Sequence, residues 1–561
     1  MSDYLQQTSQ TDGIVNMKLE KIDGQGLKAL VEAGMTWLRT NQQMVNALNV
    51  FPVPDGDTGT NMLLTMQAAY HEVANSTETN AGKMAHIVAQ GALMGARGNS
   101  GVILSQLWRG FARAVDSIDV IDTALFVKAL GEARNTAYKG VVRPVEGTIL
   151  TVAKDTAAAA EELLPANYDL LVMLEKLVAA ADDSVKRTPE LLPVLKQAGV
   201  VDSGGKGYFI ILEGMLRFLK GLPLDEATTF VKPLSLMDLE NTMETVEPGQ
   251  DFEVVVDFRP RNELNLDSFY EKLSEMGTSI QVGEGDGMYR MHIHVPTDNL
   301  YLPIDYTRTL GVVTKVAIEN LIAQMEDVEK NSEENLTLSE VNAGQIAVIA
   351  VSPGPGISRI FASLGVAGLV RGGQTMNPST EEILRSFEDL PTDKIIILPN
   401  NKNIILAAQT AMTMSVKKVA VIPSRNVPQG LSALFRFDPD GDLDTVVKEM
   451  TDALNDVETG EITTATRTVE INDVDVNEGE VIALHNGKLV QSSTSLEEAT
   501  LGLLEKAGTA EKERITLFYG DSITPAEVDQ ISQKIKEKYP NHEIEVHEGG
   551  QPHYQFIIAI E

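Results

Sequence analysis

Two aspartates one residue apart carry the first chemical signal in this 561-residue chain. Asp55 and Asp57 flank Gly56 in the run NVFPVPDGDTGTNM, Asn49 to Met62, and Thr58, Gly59 and Thr60 follow directly. Pro52 and Pro54 fix φ and remove N–H donors, which predicts a stiffened loop rather than a helix or a central strand. Carboxylates held this close repel each other and stay ionised cheaply only with a cation between them. Mg²⁺ suits that place, because it takes few protein carboxylates and fills its shell with water and phosphate oxygens. The glycine and hydroxyl residues behind the pair could offer backbone N–H groups to those phosphates. The same residues also spell an ordinary Asx turn. The run by itself therefore leaves metal–nucleotide binding and a solvated turn both open.

Three further glycine-containing loops could join the aspartates. GARGNSG, Gly95 to Gly101, breaks a helical pattern, and each glycine costs a helix about 1 kcal/mol against alanine. A loop feeding a helix that begins near Gly101 is expected, an end that can bind an anion with Arg97 adding charge; a plain inter-helix loop is the competing reading. RPVEGTIL, Arg143 to Leu150, puts Glu146, Gly147 and Thr148 at another helix start, with Thr148 either a phosphate contact or, as capping statistics favour, a cap hydroxyl. VVDSGGKGYF, Val200 to Phe209, places Asp202 ahead of Ser203, Gly204 and Gly205. It could close over a base or ribose, or simply turn between helices. No G-x-x-x-x-G-K-[ST] phosphate loop occurs. Elsewhere, His292 and His294 stand at i and i+2 of an alternating run, so both point to one face of a strand. That spacing suits Zn²⁺, against the simpler reading of a solvent-facing pair.

The elements that must hold these residues fall into three parts. The chain carries 46 Lys and Arg against 80 Asp and Glu, a net charge of −34. So acidic a protein is a poor match for nucleic acid, which needs basic patches, and any nucleotide it binds needs a metal to offset like charge. With no cysteine, disulfides and thiolate chemistry are excluded. The first residues are polar and resemble no signal peptide, and no apolar run reaches the roughly 18 residues of a transmembrane helix, so a cytoplasmic protein is the expectation.

Residues 20 to about 222 read as mostly helical, with helical apolar spacing over Gly26–Asn46 and Lys83–Val115. From about residue 250 strands enter: FEVVVDF and MYRMHIHV, with LDSFYEKLSEMG between them as a helix ending at Gly277. A second helix over about Pro303–Gln324 is expected to close that unit. The polar stretch Glu326–Glu340 reads as a linker. IAVIAV, KIIILP and KVAVIP then recur as buried parallel strands with crossover helices between them, and EVIALHNG, RITLFYG and HYQFIIAI as later strands. The expected order is a helical domain at 1–225, a small α+β middle domain at 226–328, a linker at 329–343 and an α/β domain at 344–561. Loops 371–380, 398–403, 424–430 and 548–552 hold amides and hydroxyls at predicted strand ends, the usual crevice of an open α/β sheet. Their scarcity of acids and bases favours recognition over acid–base chemistry, although ordinary connecting loops would look the same.

Taken in order, NVFPVPDGDTGTNM, GARGNSG, RPVEGTI, AGVVDSGGKG, GGQTMNPS, LPNNKN and EGGQP resemble one family across essentially the whole chain. The first part resembles the ATP-binding L domain of bacterial dihydroxyacetone kinases, and the three-part order resembles the fatty acid kinase A subunit of Gram-positive bacteria. The resemblance implies an all-α barrel of eight helices with ATP or ADP and two Mg²⁺ at its rim, a dimerising middle domain, and a DegV-like α/β domain that docks a partner. It makes Asp55 and Asp57 the Mg²⁺ ligands, with Asn49 near a third ligand position. Thr58, Gly59, Thr60, Asn61, Ser100, Gly101 and Thr148 would surround the phosphates, and Asp202 would sit near the nucleoside. The implied reaction phosphorylates a fatty acid carboxylate, presented by a separate DegV-type fatty-acid-binding protein, to an acyl phosphate for phospholipid synthesis. One departure stands out. The family commonly holds Zn²⁺ in its middle domain with a cysteine and the H-x-H pair; here Glu253 lies at about the cysteine's place, so the set would be Glu253, His292 and His294. SPGPGIS, 352–358, also differs from the glycine-rich turn expected there. Two other functions stay in view: a dihydroxyacetone-type kinase acting on a small hydroxylated substrate, and a non-catalytic nucleotide-sensing scaffold.

Overall fold

The computed structural model describes residues 19, 21–49, 56–141, 143–224, 232–233, 251–262, 264–285, 288–320, 336–374, 376–465, 469–471 and 474–561. Asp55, the two prolines before it and most of the expected linker lie outside the described residues. Residues 1–226 and 337–561 form one compact unit and residues 227–336 a second.

The helical region holds α1 (Gly24–Thr40), α2 (Gln42–Ala47), α3 (Thr58–Val73), α4 (Ala81–Met94), α5 (Gly98–Ala114), α6 (Thr123–Lys139), α7 (Ile149–Leu163), α8 (Leu170–Leu191), α9 (Pro193–Ala198) and α10 (Ser203–Leu219). Two short strands, β1 (Lys21–Ile22) and β2 (Ile121–Asp122), pair antiparallel ahead of α1 and α6. Side-chain caps fix most of the helix starts: Asp23, Asn80, Asp122, Thr148, Asp169 and Asp202 each accept a backbone N–H of the first turn, worth about 1 kcal/mol apiece. Each long helix packs on its chain neighbour, and α10 returns to pack along α1. Leu38, Met62, Met66, Met84, Leu104 and Leu150 are fully buried between them. The expected Lys83–Val115 helix is two helices, because Gly95, Ala96 and Arg97 break it, and α5 begins at Gly98, three residues before the expected Gly101.

In the second unit β3 (Lys232–Pro233), β4 (Phe252–Pro260), β5 (Thr278–Gly285), β6 (Met288–Val295) and β7 (Gly311–Asn320) form one sheet in the order β3-β5-β6-β4-β7. The helices Leu266–Ser274 and Leu302–Leu310 accompany it. Val254, Val256, Phe258, Phe269, Met291 and Ile293 fill its core. The helix expected over 303–324 stops at Leu310. Gly311 leaves the helix in extended backbone, and the β-branched run VVTKVAI favours the strand β7, which pairs antiparallel with β4.

The α/β region carries two sheets. β8 (Ile346–Ser352), β9 (Gly368–Arg371), β10 (Lys394–Leu398) and β11 (Lys418–Val421) are all parallel, in the order β11-β10-β8-β9. Every residue of β8 is buried, as a strand covered on both faces requires. β12 (Glu458–Thr464), β15 (Val481–His485), β16 (Lys488–Ser493), β17 (Arg514–Tyr519), β18 (Glu543–Glu548) and β19 (Tyr554–Ile560) make a six-stranded mixed sheet, with β13 (Val469–Ile471) and β14 (Val474–Val476) as a separate hairpin. The three late strands expected from sequence are β15, β17 and β19. Among the described residues no helix is long and apolar enough to cross a membrane.

Candidate functional site

The start of α3 gathers the residues of the first motif. Gly56, at φ +61°, takes the left-handed conformation that a side chain resists and delivers Asp57 to the N-cap position. An aspartate there usually bonds the first helical N–H groups; Asp57 does not. Its carboxylate is turned instead to the side chains of Asn61 and Asn377, accepting from Asn377 Nδ2 at 2.5 Å. Asp57 is 7% exposed. Burial pushes its carboxyl up to about 6, against the two amide hydrogen bonds and the positive charge of Lys402, which pull it down. A carboxylate that costs this much to bury, at a helix N-terminus, is chemically fitted to a cation.

Thr58, 8% exposed, opens α3 and accepts from Ser203 Oγ at 3.2 Å. This contact brings the first motif against the start of α10, 145 residues away. Asp202, one residue before, caps α10 through Gly205 N at 2.6 Å, and burial pushes its carboxyl up to about 6. Thr60 turns the other way: its hydroxyl accepts from Gln42 Nε2 at 2.8 Å and Asn46 Nδ2 at 3.0 Å, which ties α3 to α2. Gly59 allows that approach, since a Cβ there would lie 2.5 Å from Gln42 O. Asn49, 8% exposed, ends the same α2 segment and bonds back to Asn46 O.

GARGNSG delivers α5 alongside α3. Gly98 sits at φ +55°, and a Cβ on it would come 2.7 Å from Asn61 Nδ2. Ser100 and Gly101 are inside the first turn of α5, where a Cβ on Gly101 would lie 2.3 Å from Thr65 Oγ1. Asp57, Thr58, Asn61, Gly98 and Ser203 are thus neighbours. Thr148 serves as the N-cap of α7, accepting from Leu150 N at 3.4 Å, while its own hydroxyl donates to Val145 O at 2.8 Å; its two bonds are spent within its own turn, apart from the Asp57 group.

The α/β region reaches this site, which sequence reasoning does not anticipate. Arg97 Nη1 donates to Asn377 O at 3.0 Å and pairs with Glu382 Oε2 at 3.1 Å. Thr380 N donates to Ala96 O, and Asn99 Nδ2 to Asn403 Oδ1 at 3.3 Å. Ala96 and Val102 are buried in one cluster with Ile349, Phe387 and Ile397 of the α/β core. The Arg97–Glu382 pair, half exposed on the glutamate side, is worth under about 1 kcal/mol; burying Val102 alone contributes more, on the order of 1.5 kcal/mol. Packing therefore holds this junction. The two loops that meet the helices, 371–380 and 398–403, do lie at the carboxyl ends of β9 and β10, which is the one signal the sequence offers.

In the second unit Glu253 on β4 stands opposite His294 on β6, with His292 two residues along the same strand. One ligand atom of each residue lies within 4.8 Å of the others. His292 Nδ1 is 3.2 Å from Glu253 Oε1, and its buried Nε2 has no hydrogen-bond partner among the described residues. His294, 2% exposed, is pushed down to about 4 by burial and by His292, so it is a neutral imidazole at pH 7. The pair does not face solvent. A carboxylate, a neutral imidazole and an orphaned ring nitrogen fit a divalent ion such as Zn²⁺.

Comparison with known proteins agrees with this division. A DAK2 domain profile matches residues 52–217. Two FakA-like profiles, built on fatty acid kinase A subunits, follow it: the middle-domain profile matches 247–328 and the C-terminal profile 347–561. An uncharacterised protein of Staphylococcus epidermidis is 37% identical over 553 residues, covering 97% of this chain and 100% of that protein. An uncharacterised protein of Staphylococcus aureus (strain USA300) is 37% identical over 550 residues, with the same shares covered. Among solved structures, the Streptococcus pneumoniae Fatty Acid Kinase (Fak) B3 protein loaded with linoleic acid matches at 16% identity and a TM-score of 0.26, over 33% of this chain and 76% of that one. DegV, a fatty acid binding protein from Bacillus subtilis, matches at 13% identity and 0.29, over 39% and 99%. With three profiles following one another along the sequence and relatives matched end to end, the chain belongs to the FakA-like family of fatty acid kinase A subunits.

Proposed function

We infer that this protein is an ATP- and Mg²⁺-dependent kinase component that phosphorylates a fatty acid carboxylate, held by a separate DegV-type lipid-binding protein, to give an acyl phosphate for phospholipid synthesis. The observation that carries the reading is Asp57: a buried carboxylate at the start of α3, left uncapped and packed against Thr58, Asn61, Gly98 and Ser203, in a chain of this family. Asp55 and Asp57 would hold Mg²⁺, with Asn49 near a third ligand position. The α3 and α5 starts, with Thr58, Asn61, Ser100 and Gly101, would offer N–H groups and hydroxyls to the phosphates of ATP or ADP. Mg²⁺, when bound, neutralises phosphate charge, which a chain of net charge −34 is poorly equipped to do with its own side chains.

A fatty acid carboxylate is already an anion at pH 7, so its oxygen attacks the γ-phosphorus without a general base and ADP leaves with the bridging oxygen. What remains for the protein is alignment and charge stabilisation. The make-up of the Asp57 group, an acid among hydroxyls, amides and glycines, agrees with that task. The eight long helices would form the family's barrel, and the middle domain would dimerise the chain in the cytoplasm. Glu253, His292 and His294 would hold Zn²⁺ as a structural ion, a role that needs no open coordination position. The α/β region would be DegV-like and dock the lipid-carrying partner. The test is reconstitution: the chain, Mg·ATP, oleate and a DegV-type protein together should yield acyl phosphate, and Asp55→Ala or Asp57→Ala should abolish it with the fold intact. Turnover of dihydroxyacetone with no protein partner would instead favour a small hydroxylated substrate.

A further inference from the structure

Asn377 is carried by the α/β region, yet its side chain is spent on the helical region. It is 3% exposed. Its Nδ2 donates to Asp57 Oδ2 at 2.5 Å, and its backbone carbonyl accepts from Arg97 Nη1 at 3.0 Å. Its Oδ1 is buried and has no hydrogen-bond partner among the described residues. A buried amide that satisfies its donor on a charged group and leaves its acceptor empty carries a desolvation cost of about 1–3 kcal/mol. Such a cost persists where something outside the chain completes the bond. Asp57 keeps its other oxygen for a cation, and Mg²⁺ retains several of its waters when a protein binds it. A metal-bound water beside Asp57 is a donor of the kind Oδ1 lacks.

We propose that Asn377 is a positioning residue of the Mg²⁺ site: its Nδ2 orients the Asp57 carboxylate and its Oδ1 accepts a hydrogen bond from water on the bound ion. The proposal rests on the reading of Asp57 as a Mg²⁺ ligand. It makes the nucleotide site a composite of two parts of the chain that lie 320 residues apart. The α/β region then does more than receive a partner. Whatever shifts loop 371–380 alters the metal site directly, through the side chain that bonds Asp57. Carboxylate ligands are commonly held by such outer partners, and their removal typically costs ten- to hundredfold in metal affinity.

The test measures ADP binding to the full-length chain by calorimetry across a range of Mg²⁺ concentrations. Asn377→Ala and Asn377→Leu are compared with the unaltered chain; the leucine keeps the volume and removes both polar atoms. Glu382→Gln serves as a second comparison, because it weakens the Arg97 pair while a glutamine keeps the capping box. Both Asn377 variants should need about tenfold more Mg²⁺ for half-saturation or more, with metal-free ADP affinity unchanged. Glu382→Gln should keep the original Mg²⁺ requirement, and melting temperatures show whether each variant is folded. Asp57→Ala separates the two levels of the argument. If Asp57→Ala removes the Mg²⁺ dependence and the Asn377 variants do not shift it, the positioning role is wrong and the metal reading stands. If Asp57→Ala keeps the Mg²⁺ dependence, the metal reading itself fails. An equal shift in Glu382→Gln would assign the effect to domain docking and overturn the role of the Asn377 amide.

Discussion

Ser203 Oγ lies 3.2 Å from Thr58 Oγ1, so the first residues of two helices 145 positions apart meet through their hydroxyls. Both residues are 8% exposed, and each follows an aspartate, Asp202 and Asp57 respectively. Removing either hydroxyl leaves the other without this partner, at about 1–3 kcal/mol. Thr58→Val and Ser203→Ala should each destabilise the protein, and the double variant should cost less than their sum. Denaturant midpoints of the four chains measure that coupling; strict additivity would show that the contact contributes nothing.

Gly98 is expected to be intolerant of any side chain. Its φ of +55° costs a non-glycine residue about 1–2 kcal/mol, and the new Cβ would press on Asn61 Nδ2 at 2.7 Å. Asn61 bonds Asp57, so Gly98→Ala should weaken Mg·ADP binding as well as stability. Gly199 gives the comparison. It has φ +66° with nothing within 4 Å of its Cβ position, so Gly199→Ala should cost a similar amount of stability and leave ADP affinity unchanged. Calorimetric titration of both variants separates strain from clash.

Glu461 sets a pH dependence in the α/β region. Burial pushes its carboxyl up to about 7, with the charge of Lys402 opposing. An acid whose folded pKa lies above its unfolded value binds more protons in the folded state, so its contribution makes stability fall as pH rises from about 4.5 to about 7. Glu461→Gln should therefore leave stability almost unchanged at about pH 4. At about pH 8 it should raise stability by roughly 2–3 kcal/mol. Urea midpoints at the two pH values check the sign; a gain in acid and none in base would contradict it.

The middle-domain site should bind one Zn²⁺ or Co²⁺ per chain. Because His294 is already neutral above about pH 4, binding should survive to mildly acidic pH better than at an ordinary histidine pair. His292→Ala should abolish it. Glu253→Cys should tighten it and introduce the thiolate charge-transfer absorption of Co²⁺ near the ultraviolet edge. Metal analysis after dialysis and the Co²⁺ spectrum provide the measurement.

Much of this architecture is legible in local signals. Asp23, Asn80, Asp122, Asp169 and Asp202 mark helix starts by type and position. IAVIAV and KIIILP announce strands buried on both faces. The run after Leu310 misleads because apolar residues at 312, 313, 316 and 318 satisfy a helical period as well as a strand, and only Gly311 and the β-branched types decide between them. The pairing of Glu253 with the H-x-H strand is visible once β4 and β6 are recognised as neighbours. Asn377 is not. Its loop reads as a polar connection at a strand end, and nothing local in RGGQTMNPST says which surface that loop meets. The contact with Asp57 comes from how two cores pack, through Ala96 and Val102, and single-sequence periodicity carries no term for that. The motif alone sets Thr60 among the phosphate contacts, whereas its hydroxyl is held by Gln42 and Asn46.

The central claim is that this chain transfers phosphate to a fatty acid held by another protein. The most direct measurement mixes the purified chain, Mg·ATP, oleate and a DegV-type lipid-binding protein, omits each in turn, and assays acyl phosphate. Product that requires all four components, and disappears with Asp57→Ala, is the expected result. Absence of product with Mg·ATP binding confirmed, or product that forms without the lipid-binding protein, would contradict the account.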